Sequence, residues 1–392
     1  MTQKSKSQII ATGAEIIARA AMHAGCNFFA GYPITPTSSV YSAMLSKLQA
    51  EGKIAIGASD EISGISMCIG AAMRGAKAMT ASAAPGLSLM IENIGYAFAT
   101  ETPLVIVLGQ RLGPSTGAAT QNAEGDISLI ANLISGGYQI PVLAINSIEE
   151  SYATTLRAFN LAETLRTPVI LLSEKDLLMS SRNIDLALLE KYQQEIPVIN
   201  RKYFNFDSKQ AFKTYGFNEL EGVPDFVQAG SQLGSRVVIT GSMHDQEGRL
   251  SKDSPEAYEV LEHLRAKIQN RIDEYSYHEL SEHSSINPEH KICLLSFLAS
   301  DLASKEAVSK LRELYPKHQI KHLSLQTLFP IPHNLIETSL QDCDCVFVVE
   351  ENQSGQYADM LKTRIPIHRI NKTAGLISPK QIIQAYQEEL KL

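Results

Sequence analysis

Cys26-Asn27-Phe28-Phe29-Ala30-Gly31 runs directly into Tyr32-Pro33-Ile34-Thr35-Pro36, which reads as an apolar strand ending in a proline-bracketed turn. Ahead of it, Ile9, Ile10, Ile16, Ile17 and Ala20 recur at helical spacing, so a helix is expected to begin near residue 8. The same unit then repeats. Strands are expected over Lys53–Ser59, Lys77–Ser82, Pro103–Gly109, Tyr138–Ile145 and Pro168–Ser173, with helices between them such as Ile62–Arg74, Leu87–Thr100 and Glu149–Leu165. Apolar strands alternating with helices predict a doubly wound α/β fold, a mostly parallel sheet covered on both faces. Sheets of this kind bind ligands at the carboxyl ends of their strands.

From about Glu190 to Tyr277 the alternation degrades. One strand-like run, Arg236-Val237-Val238-Ile239-Thr240, and a charged helix over Ser254–Tyr275 are expected there. Beyond His290 it returns, with strands at Lys291–Phe297, Ile320–Leu325 and Val346–Glu350, a helix over Lys305–Leu314 and a closing helix from Pro379. Residues 1–190 therefore read as one α/β domain, 191–285 as a connecting region, and 286–392 as a second, smaller α/β domain.

Composition bounds the partners. A chain of 392 residues with 44% hydrophobic content can bury two or three cores. Its formal charge of -7 argues against a nucleic-acid partner, because a polyanion needs a net positive face. Neither a signal-peptide core nor a bilayer-length apolar run is found, so a cytoplasmic protein without a membrane segment is expected. Cys26, Cys68, Cys293, Cys343 and Cys345 form no CxxC and read as buried thiols rather than ligands of a metal or cluster. His278, His283 and His290 read as solvated loop for want of ligand spacing.

Three motifs carry chemistry. Thr35-Pro36 reads as an N-cap and first helical residue, presenting a hydroxyl and free N–H groups to an anion. Asp60-Glu61 opens a small-residue helix, Ile62-Ser63-Gly64 onward, and either acid could be dipole compensation or, if buried at a subunit contact, a carboxyl sharing a proton with a ring nitrogen. Arg111 follows an apolar strand and precedes Gly113-Pro114-Ser115-Thr116-Gly117. It suits bidentate carboxylate recognition, or a salt bridge to Asp126 or Glu124. No GxGxxG follows the first strand, which disfavours a nucleotide-binding domain. Nor does the chain contain the Gly-Asp-Gly and downstream Asn that hold a diphosphate through a divalent metal, so the complementary half of such a site is expected on another chain.

Gly31-Tyr32-Pro33-Ile34-Thr35-Pro36, Asp60-Glu61-Ile62-Ser63-Gly64, Pro85-Gly86-Leu87-Ser88-Leu89-Met90 and Arg111 with Gly113–Gly117 together resemble the α subunit of 2-oxoacid:ferredoxin oxidoreductases. The resemblance continues through Thr240-Gly241, His244-Asp245, Leu328–Pro332, Val349-Glu350-Glu351-Asn352 and Gly355-Gln356, and the run Ile377–Ile383 looks like the 2-oxoglutarate-specific members. It implies that residues 1–190 are a pyrimidine-binding domain for thiamine diphosphate and that 286–392 are a transketolase C-terminal-like domain. The family's glutamate for the pyrimidine N1' falls on Glu61, its substrate-carboxylate groups on Thr35 and Arg111, and its cofactor contacts on Tyr32, Pro33, Ile34, Pro85 and Gly86, with no metal ligand on this chain. Implied partners are a β subunit carrying Mg2+, the diphosphate and a 4Fe-4S cluster, a separate γ and further δ subunit, coenzyme A, a 2-oxo acid, and ferredoxin or flavodoxin as acceptor.

Two departures from the family pattern stand out: Ala83-Ala84 replaces the usual Ser-Gly, and Glu124-Gly125-Asp126 replaces Gln-Gly-Asp. Pyruvate or a branched-chain 2-oxo acid is the alternative substrate, since Thr35 and Arg111 would recognise a carboxylate common to all of them. A distal carboxylate would need a further cation, for which Arg74, Lys77 and Lys291 are candidates. The alternative of another class is a scaffold subunit without chemistry.

Overall fold

The computed structural model describes residues 8–207, 211–231 and 237–392. Its strands in chain order are β1 (Gln8–Thr12), β2 (Phe28–Gly31), β3 (Ile54–Gly57), β4 (Ala78–Ala83), β5 (Leu104–Gln110), β6 (Val142–Ala144) and β7 (Pro168–Glu174). These are followed by β8 (Ser181–Asp185), β9 (His278–Ser281), β10 (His290–Ser296), β11 (His318–Leu325), β12 (Thr327–Phe329), β13 (Cys345–Glu350) and β14 (Ile367–Asn371). A seven-stranded sheet has the order β12-β6-β7-β5-β4-β2-β3 and is parallel except for β12. A five-stranded sheet has the order β14-β13-β10-β11-β9 and is parallel except for β9. The α/β class expected from the alternation is the one observed.

Every residue of β4, β5 and β7 is buried, as helices on both faces of a parallel sheet require. One apolar cluster runs from Ala11 to Leu361 and spans both sheets, and a smaller one lies under the closing helix Pro379–Leu390. The segment between the sheets is tied down by charge. Lys267 Nζ and His263 Nε2, on the helix Pro255–Gln269, stand 2.5 and 3.3 Å from the buried Glu101 carboxylate. Against the penalty of burial, these two groups hold the Glu101 carboxyl below the usual range. Arg201 pairs in the same manner with buried Glu163 at 2.7 Å.

Several local expectations are corrected. Residues 8–12 form β1, antiparallel to β8, and the first helix is Gly13–His23. Adjacent Ile9 and Ile10 fit a two-sided strand, whereas Thr12 and Glu15 close a capping box that fixes the helix start after them. In the connecting region Val237–Thr240 is irregular rather than a strand, and Arg236 lies outside the described residues. The expected strand Tyr138–Ile145 is shorter, Val142–Ala144, with flanking hydrogen bonds to β7 at Pro141 and Ile145, and a 3-10 turn at Ser135–Gly137 precedes it. The stretch holding His278 is partly ordered, as edge strand β9 against β11. No described helix is long and apolar enough to cross a membrane.

Candidate active site

Parallel strands put their carboxyl ends on one edge. Register aligns Gly31 of β2 with Gly57 of β3, Ala83 of β4 with Gly109 of β5, and Gln110 of β5 with Glu174 of β7. The turn Tyr32–Thr37, the acids Asp60 and Glu61, the Pro85-Gly86 step and Arg111 all leave the sheet at this edge.

Glu61 and Asp60 separate by role. Asp60 is the N-cap of the helix Glu61–Met73: its Oδ1 accepts from the Ser63 N–H at 2.7 Å, and that bond holds its carboxyl below the usual range. Glu61 is the first helical residue, 6% exposed, and its carboxylate makes no hydrogen bond to another described residue. The cap is thus accounted for by its neighbour. Gly64 on the next turn brings this helix close to β2, where an added Cβ would stand 3.3 Å from the Gly31 Cα. On the other side Gly86 leaves room for the acid: a Cβ there would lie 2.6 Å from Glu61 Oε1 and 2.1 Å from Ser82 Oγ. Pro85 and Gly86 belong to the first turn of the helix Ala84–Ala99, which begins earlier than the sequence suggests. At its N-cap, Ala83 offers no side-chain acceptor, which is where the departure from Ser-Gly takes effect.

Thr35 is not the N-cap expected. The Thr35–Pro36 peptide is cis, the chain turns over residues 35–37, and the helix starts at Ser38 with Thr37 in the cap position. The physical reason is visible at the Thr35 carbonyl. Arg111 Nη1 donates to it at 3.0 Å, so this carbonyl is committed to a contact across the edge and not to a first helical turn. Pro36 and Thr37 close down on the end of β5, and a Cβ at Gly109 would stand 2.6 Å from Pro36 Cγ. Tyr32 and Pro33 are exposed, and Ile34 and the Thr35 side chain are half-buried.

Arg111 is 4% exposed and its Nε is buried without a partner among the described residues. Burial pulls its pKa down, and Asp126 opposes that pull. Asp126 is in turn pushed up to about 6 by burial, while the Arg111 amide and guanidinium hold it back. Neither Asp126 nor Glu124 forms a salt bridge with Arg111. Glu124 points elsewhere, into a buried group with Asn122, Glu174 and Glu351 that sequence reasoning missed. In the loop that follows Arg111, Gly117 has φ +51° and a Cβ there would fall 1.5 Å from the Leu112 oxygen, so only glycine closes the Leu112–Ala118 bridge.

The proposed distal cations are not at this edge. Arg74 caps the far end of the Glu61–Met73 helix, and Lys77 precedes β4, where its Nζ is spent on the Ala24 and Ile199 carbonyls at 2.8 and 2.6 Å. Lys291 is near the start of β10 in the other sheet. All five cysteines are buried and unbridged, and among the described residues no group of three or more His, Cys, Asp or Glu side chains could hold a metal ion.

A parallel sheet whose carboxyl edge gathers a buried unpaired acid, a buried guanidinium and bare glycine Cα surfaces defines a ligand-binding α/β enzyme unit. The family described as pyruvate flavodoxin/ferredoxin oxidoreductase, thiamine diphosphate-binding, matches residues 19–263. The chain is similar to the 2-oxoglutarate synthase subunit KorA of Methanocaldococcus jannaschii, 36% identical over 83% of this chain and 84% of the relative. The subunit of the same name from Archaeoglobus fulgidus is 31% identical over 96% of this chain and 98% of its own length. A solved structure, 2-oxoglutarate:ferredoxin oxidoreductase from Magnetococcus marinus with 2-oxoglutarate, coenzyme A and succinyl-CoA bound, superposes with a TM-score of 0.89 at 28% identity, covering 99% of this chain and 66% of that one. The chain belongs to the pyruvate flavodoxin/ferredoxin oxidoreductase family.

Proposed function

We propose that this chain is the α subunit of a thiamine diphosphate-dependent 2-oxoglutarate:ferredoxin oxidoreductase. With a β subunit it converts 2-oxoglutarate and coenzyme A to succinyl-CoA and carbon dioxide, and electrons pass to ferredoxin or flavodoxin. The carrying observation is Glu61: a buried carboxylate with no described hydrogen-bond partner, facing the bare Cα of Gly86. The helix start already has its cap in Asp60, and a ligand is the natural partner for a second acid packed beside it.

The residues present fit the aminopyrimidine half of the cofactor. Glu61 would hydrogen-bond a ring nitrogen, Gly86 would leave the ring its space, and Tyr32, Pro33, Ile34 and Pro85 would line it. When bound, thiamine diphosphate supplies a carbon nucleophile and an electron sink for decarboxylation. Glu61 holds or moves the proton on the ring nitrogen, and Arg111 with Thr35 binds and orients the substrate carboxylate. The diphosphate, Mg2+ and an iron-sulfur cluster belong to the β subunit, with γ and δ chains completing the assembly. Exposed apolar side chains on the turn after β2 and on the two helices that carry Glu61 and Gly86 (Tyr32 40%, Ile62 47%, Met67 39% and Leu89 52%) support a protein partner over this edge. A cytoplasmic location goes with these partners.

The preference for 2-oxoglutarate is supported by the names of the relatives, and pyruvate remains the second reading because Arg111 would engage a carboxylate that both acids share. Anaerobic co-expression with the β subunit, followed by coenzyme A-dependent reduction of a one-electron dye, tests both. Turnover with 2-oxoglutarate well above pyruvate is expected. Turnover with pyruvate alone overturns the substrate, and none with any 2-oxo acid favours the scaffold reading.

A further expectation concerns Gly86→Ala. The added methyl would force Glu61 and Ser82 apart, and displacement of a positioned acid by a fraction of an ångström lowers kcat by roughly tenfold to a hundredfold. Cofactor titration should weaken in parallel, and wild-type kcat in this variant would remove Gly86 from the cofactor contacts.

A further inference from the structure

The loop that leaves β5 at Arg111 returns to the sheet edge through Glu124-Gly125-Asp126, and the return limb touches Arg111 itself. A Cβ at Gly125 would stand 2.7 Å from the Arg111 carbonyl oxygen, and the Asp126 N–H donates to Gln110 Oε1 at 3.2 Å. The five-stranded half of the molecule grips this limb. The Glu124 N–H donates to the Glu351 carbonyl at 2.8 Å, and the Glu351 N–H donates to Glu124 Oε2 at 2.9 Å. Gln356 Nε2 donates to the Gly125 carbonyl at 3.0 Å, and its Oε1 accepts from the Ser128 N–H at 2.8 Å. Arg111 then reaches the Thr35 carbonyl.

Behind the limb lie three wholly buried carboxylates, Glu124, Glu174 and Glu351. Asn122 Nδ2 donates to both Glu174 and Glu351, the latter at 2.7 Å. The Ala299 and Ile377 N–H groups donate to Glu174 and Glu351 at 3.0 and 2.7 Å, while Glu124 Oε1 has no partner among the described residues. Facing charges do not balance the group. Glu350 and Asp176 add negative charge, Lys175 is engaged with Asp176 at 3.2 Å, and Lys372 acts favourably on Glu351. Carboxylates this close and this dry cannot all be ionised.

We propose that Gln356 and Glu351 are positioning residues for Arg111, acting through Glu124-Gly125-Asp126, and that their grip holds only while the Glu124, Glu174 and Glu351 group retains a proton. The inference rests on the reading of Arg111 as the substrate-carboxylate group. Burial, then repulsion by Glu174 and Glu351, pushes Glu124 well above the ordinary range, and burial followed by Glu351 pushes Glu174 up to about 8. Raised carboxyl values mean that the group keeps a proton at neutral pH and gives it up only as pH rises beyond the ordinary carboxylate range, so the grip fails on the alkaline side. A protonated Glu124 also has the neutral outline of the glutamine usual at that position.

The test uses the co-expressed α and β complex and steady-state kinetics with 2-oxoglutarate. Gln356→Ala should raise KM for the 2-oxo acid roughly tenfold, with kcat and the KM for coenzyme A little changed, because a misplaced binding group is lost from ground and transition states alike. If that variant does not assemble, Gln356→Met preserves the length of the side chain and should show the same shift. The wild type is expected to lose kcat/KM on the alkaline side, and Glu124→Gln should remove that fall. An unchanged KM in the Gln356 variants, with Arg111→Ala raising it, overturns the positioning role alone. An unchanged KM in Arg111→Ala removes the carboxylate reading instead. A wild type without the alkaline fall, or a Glu124→Gln profile that retains it, overturns the proton requirement.

Discussion

Glu61→Ala in the assembled α and β complex is expected to lower kcat by about a thousandfold while leaving the chain folded. The direction follows from burial. Glu61 is 6% exposed and bonded to no described residue, so its removal leaves no described donor unsatisfied. Only a ligand proton feels the change. Glu61→Gln keeps the outline but cannot take up or release a proton, so it should recover little of the rate and stay about a hundredfold or more below the wild type. Melting temperatures of both variants should match the wild type within a few degrees. A rate near wild type in either variant would remove the assigned role, whereas a collapsed melting temperature would recast Glu61 as a structural acid.

Arg111→Ala should raise KM for the 2-oxo acid by about a hundredfold, the cost of losing a charge-assisted pair to a carboxylate. Arg111→Lys should recover only part of this, because an ammonium cannot span the Thr35 carbonyl and a carboxylate with one rigid fork. Substrate-dependent kinetics at fixed coenzyme A separate the effect on KM from any effect on kcat. Equal losses in kcat and kcat/KM would place Arg111 on the reacting centre rather than on the bound carboxylate.

How much of this was legible before the structure depends on distance along the chain. Strands β5 and β7 could be read directly because both faces are buried and nearly every residue is apolar. The edge position of Glu61 and Arg111 followed from strand ends, and the Asp60-x-x-Ser63 spacing carried the capping signal that separates the two acids. Thr35 was misread because Thr-Pro is a common helix start, and a carbonyl bonded to Arg111, 76 residues away, leaves no local trace. β1 was misread because Ile9 and Ile10 continue the helical spacing of Ile16 and Ile17, although Thr12 and Glu15 marked the true start. The Glu124 and Glu351 contact joins residues 227 apart and had no signal in spacing. Its one trace was the acid standing where the family carries glutamine.

The claim on which the account depends is that Glu61, Thr35 and Arg111 form one rim, completed by a partner chain around a shared cofactor. An experimental structure of the α and β complex with thiamine diphosphate and 2-oxoglutarate tests it most directly. The account predicts the Glu61 carboxylate about 3 Å from a pyrimidine ring nitrogen, and the Arg111 guanidinium on the substrate carboxylate. A pyrimidine ring bound away from Glu61, or a substrate whose carboxylates both avoid Arg111, would contradict it.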